Sequence, residues 1–155
     1  MNCCAAQQEN EMSRPTVNDA MILEAANEVA KNLQIDAEII AEAYELHMDG
    51  YALAKQLDDR YYCDITTRDV EELDAMDTLV RQAVERAEKE WVEREGIVPK
   101  LAVGTEIKRG VIAGVSEYSP ARYKVKEHGC TREGRHLLVL FEDAESEAAR
   151  MASAA

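Results

Sequence analysis

Five acidic side chains lie close together in the first half of the chain and can present negative charge to a basic partner. In a helix, residues three and four positions apart share a face, so this spacing places several carboxylates side by side. A row of carboxylates can imitate a nucleic-acid backbone and occupy a basic groove on another protein. The alternative is an ordinary solvated helical surface. The candidates are Asp69, Glu71, Glu72, Asp74 and Asp77.

A second set of side chains, in the C-terminal part, offers contact with nucleic acid. Lysine and arginine neutralise phosphates, and exposed aromatic rings stack on bases. Tyr118 and Tyr123 lie among the basic residues and can supply such rings. The alternative is a solvated face of a strand. The basic candidates are Lys108, Arg109, Arg122, Lys124 and Lys126.

Metal binding and catalysis find little support in the residue pattern. His128, Cys130 and His136 have side chains that bind zinc, with Cys63 elsewhere, but His128-x-Cys130 is not a usual ligand pair. The sequence contains no serine elbow, no phosphate-binding P-loop and no dinucleotide-binding glycine motif. It therefore predicts no metal, no cofactor and no enzymatic activity.

Apolar residues spaced three and four apart predict helices through the first two thirds of the chain. Asn18 and Asp36 are placed to cap the first two helices, and Gly50 is predicted to end the second one. A short third helix is predicted over residues 51–57. The apolar side of the second helix is predicted to consist of Ile39, Ile40, Ala43, Tyr44 and Leu46.

The longest predicted helix starts near Thr66, where Thr66-x-x-Asp69 is similar to a capping box. Gly96 and Pro99 close it, and this helix carries the five acidic candidates. A helix of that length would measure about 40 Å at 1.5 Å per residue.

After Pro99 the apolar period becomes strand-like. Residues 122–126 alternate charged and apolar side chains, which is typical of a strand with one solvated face. Short runs of this kind, separated by turn residues, predict a small antiparallel sheet or an SH3-like barrel. The predicted fold class is therefore α+β, with three to four helices before the sheet.

Four regions are predicted along the chain: a disordered tail over residues 1–15, an acidic helical region over 16–98, a small β domain over 99–143 and a tail over 144–155. The last tail either forms a weak helix or frays. Met12 is an alternative start to Met1, because folded-looking sequence begins only after Pro15.

The charge of the chain changes near the same position as the spacing of its apolar residues. The formal net charge is −13, and residues 1–98 hold 23 acidic and 9 basic side chains. Residues 100–141 hold 4 acidic and 8 basic ones. A negative charge of this size resists unspecific binding to nucleic acid and to anionic membranes. Four widely spaced or adjacent cysteines, without a signal peptide or an apolar span, predict a reduced protein in the cytoplasm.

Three segments carry a resemblance to known proteins: residues 49–58, residues 103–114 and residues 137–143. Over residues 37–143 the chain resembles small accessory proteins of bacteriophages and prophages, which implies action in the host cytoplasm on a host protein. The run Val-Gly-Thr-x-Ile-x-x-Gly-x-Ile, from Val103 to Ile112, is similar to the opening strands of Tudor- and KOW-like barrels. The aromatic cage of a methyl-lysine-binding Tudor domain is not evident.

These observations favour a non-enzymatic protein-binding module, expected to be a phage-encoded inhibitor of a host defence or nucleic-acid-handling protein that acts through its acidic face. One alternative is a nucleic-acid-binding regulator that uses the basic β half. Another is a structural component of a virion or homo-oligomer.

Overall fold

The computed structural model describes residues 13–154. In this part of the chain five helices precede a four-stranded antiparallel sheet and one helix follows it, which confirms the predicted α+β class. The helices are α1 (Asp19–Ala30), α2 (Ala37–Ala43), α3 (Gly50–Tyr61), α4 (Thr67–Leu73), α5 (Ala75–Glu95) and α6 (Phe141–Ser153). The strands are β1 (Glu106–Ile107), β2 (Gly110–Val115), β3 (Arg122–Glu127) and β4 (Leu137–Leu140).

Most of the predicted N-terminal tail, with both candidate starts and the Cys3–Cys4 pair, lies outside the described residues. The described chain forms two compact units, residues 13–87 and residues 88–154. We call them the helical unit and the β unit. The change of unit occurs within α5, upstream of the predicted change at residue 98, because Trp91 near the end of this helix belongs to the core of the β unit.

The helical unit has an aliphatic core, as the low aromatic share of the sequence requires. Burial of each large side chain in such a core contributes about 1.5–3 kcal/mol. The core is drawn from every helix of the unit and includes Ala26, Ile40, Leu53, Leu57, Leu73, Met76 and Val80.

Side-chain caps start three of these helices. The Asn18 carboxamide accepts the backbone N–H of Met21 at 3.0 Å, and the Asp49 carboxylate accepts the N–H of Ala52 at 2.8 Å. The predicted capping box at Thr66 is confirmed, since Thr66 and Asp69 bond each other's backbone N–H groups. Each cap satisfies a backbone donor that the helix itself leaves without a partner.

The boundary predicted between the second and third helices is wrong. Helix α2 ends at Ala43, and Gly50 begins α3 instead of ending α2, with Asp49 as the N-cap. Leu46, predicted to lie on a buried face, is 51% exposed. The segment between the helices turns at His47, whose φ is +66°.

The predicted continuous helix from Thr66 to Gly96 is also wrong, because the chain interrupts it at Asp74, between α4 and α5. The Asp74 carboxylate accepts the backbone N–H of Gly50 at 2.9 Å. This contact joins segments that are 24 residues apart in sequence. The local pattern of apolar residues carries no sign of such a tertiary contact.

The sheet of the β unit is open, with strand order β1-β2-β3-β4. The barrel alternative is therefore not formed among the described residues. Tyr123 and Val125 of β3 face the core with Ile112 and Val139, while Lys124 lies on the opposite face. Residues 144–155, which the sequence leaves as a tail, belong largely to α6, whose Phe141 and Ala144 are buried in the same core.

The described residues include no helix that is both long enough and apolar enough to cross a membrane.

Candidate functional site

Four of the five predicted acidic residues, all except Glu71, hold the helical unit together through local or tertiary hydrogen bonds. The Asp69 carboxylate accepts the Thr66 backbone N–H at 2.9 Å, and this bond and the Thr66 hydroxyl lower the pKa of Asp69. Glu72 accepts a hydrogen bond from the Asn32 carboxamide at 3.0 Å. Asp74 holds the first residue of α3, as described above.

Asp77 has the densest set of contacts of the five. Its carboxylate accepts the Tyr44 hydroxyl at 2.6 Å and the His47 backbone N–H at 3.0 Å, and it lies 3.3 Å from the Arg81 guanidinium. The Tyr44 hydrogen bond is the largest of the causes that lower the pKa of Asp77. Burial and this carboxylate raise the pKa of Tyr44, so its hydroxyl stays protonated and donates. Asp77 thus fixes the turn after α2 against α5.

Replacing Asp77 by Ala is expected to lower the free energy of unfolding by about 2–3 kcal/mol at neutral pH, because the buried Tyr44 hydroxyl loses its acceptor. The folded pKa of Asp77 lies below the ordinary value of 3.8. Its stabilising effect is therefore complete above that value and is lost as pH falls through the folded pKa. Urea unfolding of both proteins at neutral pH and near pH 3 should show the difference shrinking in acid.

Glu71→Ala is the matched control for this experiment. Glu71 is exposed and makes no side-chain hydrogen bond or ion pair within residues 13–154. Its removal is expected to change stability by less than about 0.5 kcal/mol. An equal loss in both variants would contradict the structural role of Asp77.

A separate group of carboxylates surrounds an open hollow in the helical unit. The hollow has a volume of about 690 Å³, and both the segment before α2 and the segment between α3 and α4 contribute to its lining. Asp36 and Asp64 line it, and neither carboxylate has a hydrogen-bond or ion-pair partner in the described chain. Asp36 occupies the N-cap position of α2 without making a side-chain cap. The lining consists of Asn32, Gln34, Ile35, Asp36, Ile39, Cys63, Asp64, Thr66, Arg68 and Asp69.

A smaller hollow of about 340 Å³ also involves the α3–α4 segment, through Ile65. Asp58 and Asp59 contribute carboxylates to it, and Lys55 contributes one positive charge. Tyr51 lines it and is 72% exposed. Carboxylates and an exposed aromatic ring are a combination that accommodates basic side chains.

Tyr62, at the end of α3, is the most exposed aromatic side chain near these hollows. It is 89% exposed and has a left-handed backbone, with φ of +55°, at a position where glycine is usual. A bulky residue in this conformation is held at a cost of about 1 kcal/mol. The next residue, Cys63, lines the larger hollow.

The amino-acid sequence does not mark Asp36, Asp64 or Tyr62 as site residues. The sequence predicts Asp36 as the N-cap of the second helix, and it places Tyr62 and Asp64 in the segment between two predicted helices. Their common signal is the density of acidic and tyrosine residues over 58–64, and only the fold shows that residues 34–36 lie beside that segment.

Two of the predicted basic residues form ion pairs inside the β unit. The Arg122 guanidinium makes two hydrogen bonds to Glu88, at 3.0 and 3.2 Å, and the Glu88 side chain is 5% exposed. Arg109 lies 2.8 Å from Glu147 of α6. Tyr123 is fully buried, so its ring has no exposed face for stacking on a base.

The other predicted basic residues remain on the surface. Lys126 is exposed and Lys124 half-buried on the outer face of β3, and Lys108 is exposed in the turn between β1 and β2. None of the three lysines has an ion-pair partner in the described part of the chain. Tyr118 is 82% exposed. The surface that remains for nucleic acid is smaller than the sequence predicts.

Residues with metal-binding side chains do not gather into a site among residues 13–154, where no three His, Cys, Asp or Glu residues are placed to hold an ion. His128 bonds the Ile107 carbonyl at 3.3 Å, and Cys130 contacts the Arg132 carbonyl at 4.0 Å.

The chain matches no family model, no curated protein and no solved structure with which it was compared. The resemblance to phage accessory proteins stays a prediction.

Proposed function

We propose that this chain is a non-enzymatic protein-binding module whose helical unit binds a basic segment of another protein. One observation carries the proposal: Asp36 and Asp64 line a hollow and have no partner in the described chain. The surrounding charge supports it, because residues 13–87 hold 17 acidic and 7 basic side chains. The net negative charge of the unit thus attracts a basic partner over a distance, and the hollow provides the local site that binds it.

The chemistry of the hollow suits an arginine side chain. Ile35 and Ile39 provide apolar surface for its aliphatic stem, and the two carboxylates can accept its guanidinium N–H groups. A volume of about 690 Å³ accommodates a few side chains of a peptide and lies within the range of ligand-binding pockets. The exposed Tyr62, which precedes the lining residue Cys63 in the chain, can add a cation–π contact with a basic partner.

A narrower form of the proposal names the class of partner. The resemblance to phage accessory proteins suggests a phage-encoded inhibitor that acts in the host cytoplasm. Its target would be a host defence or nucleic-acid-handling protein, since such proteins present basic grooves to their own ligands. Occupation of such a groove by an acidic module would exclude nucleic acid from it.

The test combines a defined probe with two matched variants. Fluorescence anisotropy measures binding of a short labelled arginine-rich peptide to the wild-type chain and to D36K/D64K. Loss of the carboxylates in the hollow is expected to weaken binding at least about tenfold. The control is E42K/E71K, which changes the net charge equally at exposed positions outside the lining of the hollow.

Equal weakening in both variants would overturn the assignment of the hollow, because only unspecific attraction would then be measured. The same variants serve as baits in a pull-down from bacterial lysate, with and without nuclease. A host protein retained after nuclease by wild type and control, but lost from D36K/D64K, is the expected result and identifies the target.

A second candidate function is nucleic-acid binding through the β unit. It is favoured by Lys108, Lys124 and Lys126, which have no acidic partner in the described residues. Retention of material only with intact nucleic acid, and its loss in K124E/K126E, would support this alternative. Arg122 is unsuitable for that test because its pairing with Glu88 makes its removal a change in stability.

A further inference from the structure

The two edges of the sheet differ in how they are protected. Edge strand β1 has only two residues, one of them Glu106. Edge strand β4 is Leu-Leu-Val-Leu. Among residues 13–154 it pairs with β3 alone, and it keeps a regular register along its length. Proteins usually guard a free edge with a charged residue, a proline or a bulge, and β4 has none of these. An unguarded apolar edge is a template for another strand.

The hydrogen-bond ladder between β3 and β4 determines which backbone N–H and C=O groups of β4 point to the free edge. Phe141 donates its N–H to the Ala121 carbonyl at 3.1 Å, which continues the pairing of β4 with β3. In an antiparallel ladder alternate residues bond the same neighbour, so Val139 also bonds β3. Leu138 and Leu140 therefore direct their N–H and C=O groups to the free edge. Leu138 is 46% exposed, so the outer face of β4 beside this edge is open to solvent.

The residues on either side of β4 have opposite charges. Arg135 precedes the strand, and Asp143 lies in the first turn of α6 directly after it. Neither side chain has an ion-pair partner in the part of the chain that the structure describes. In a two-fold antiparallel pairing centred on Val139, each Arg135 would lie opposite the Asp143 end of the other copy. The same register places Leu138 opposite Leu140, and these residues carry the free backbone groups.

We propose that two copies of this chain associate by antiparallel pairing of β4 with β4, in the register centred on Val139. The apolar residues of the edge supply buried surface, and the flanking charges select a second copy over an unrelated strand. Net charge permits this contact, because residues 88–154 hold 12 acidic and 11 basic side chains. The interface goes beyond the proposed function, since β4 and the acidic hollow belong to different units.

Analytical ultracentrifugation of the full chain tests the proposal, with a reductant present so that thiols cannot cross-link copies. Wild type is expected to dimerise reversibly. R135E places two like-charged pairs across the interface and is expected to raise the dimer dissociation constant roughly tenfold. The double variant R135E/D143R reverses both charges and is expected to restore dimerisation, an effect that altered folding would not produce.

R132E is the matched control, because it makes the same change of net charge at an exposed position outside the β4 pairing. It is expected to dimerise like wild type. A monomeric wild type at all concentrations would overturn the proposal. So would a dimer in which R135E behaves like R132E, or one that R135E/D143R fails to restore.

Discussion

Replacing Gly50 by Ala is expected to lower the free energy of unfolding by about 3 kcal/mol, the upper range for steric overpacking of a tight site. A Cβ at this position would lie 2.6 Å from the Asp74 backbone nitrogen and 2.8 Å from its Cα, and it would also collide with the Val70 carbonyl oxygen. All three atoms belong to backbone, so no side-chain rotation relieves the contact. The start of α3 must then move away from the α4–α5 junction.

The movement would also break a hydrogen bond, because the Gly50 N–H donates to the Asp74 carboxylate. Chemical denaturation measures the loss of stability. Gly114→Ala is the matched control, since a Cβ there meets no atom within 4 Å and its backbone is not left-handed. It is expected to be neutral or slightly stabilising. Equal stability of the two variants would show that α3 does not approach α4 as closely as described.

Replacing Arg122 by Ala is expected to cost about 3 kcal/mol of unfolding free energy, because the buried Glu88 carboxylate loses the guanidinium that donates two hydrogen bonds to it. Glu88 is the one charged residue among the buried positions of the described chain, at 4% exposure. The two residues lie 34 positions apart and join α5 to β3. A carboxylate taken out of water keeps its charge only while a cation or several donors face it.

A double-mutant cycle separates the ion pair from simple loss of packing. The cycle consists of E88L, R122L and E88L/R122L. The double variant removes both charges and is expected to be more stable than R122L, since an apolar pair carries no desolvation penalty. Lys124→Ala provides the comparison on the same strand. The Lys124 side chain has no hydrogen bond or ion pair within the described residues, so its removal should change stability by less than about 0.5 kcal/mol. Additive single effects in the cycle would contradict a coupled pair.

These contacts change the meaning of the charged residues that the sequence selects. Asp74, Asp77 and Arg122 serve the fold, so charge reversal at them would reduce binding of any ligand by unfolding the site that holds it. The Asp36 and Asp64 side chains make no hydrogen bond or ion pair in the part of the chain that the structure describes. Under the proposed function, loss of binding on their substitution therefore reports on recognition. The distinction between structural and available charges therefore decides which variants are informative.

Local signals in the sequence were sufficient for several features. The capping residues Asn18 and Thr66 were predicted because a helix start needs an acceptor for its first N–H groups, and that chemistry is local. The sheet after Pro99 was predicted from the change to a strand-like period of apolar residues, because side-chain spacing follows backbone geometry. The α+β class follows from these two signals together.

Features that depend on contacts between distant segments were decided by the tertiary structure. Position 50 requires glycine because the backbone of Val70 and Asp74 approaches it too closely for any side chain, and nothing in the neighbouring sequence indicates that approach. Within the described residues the sheet does not close into the predicted barrel, because β1 has only two residues and β4 pairs with β3 alone.

For the candidate site, the sequence by itself determined the sign and the location of the charge: acidic in the helical region, mildly basic after it. Only the tertiary structure decided which charges are available. It pairs Asp77 with Tyr44 and Arg122 with Glu88, and it leaves Asp36 and Asp64 facing a hollow. The physical reason is that composition sets the long-range field, whereas hydrogen bonds act over about 3 Å and require the folded positions of both partners.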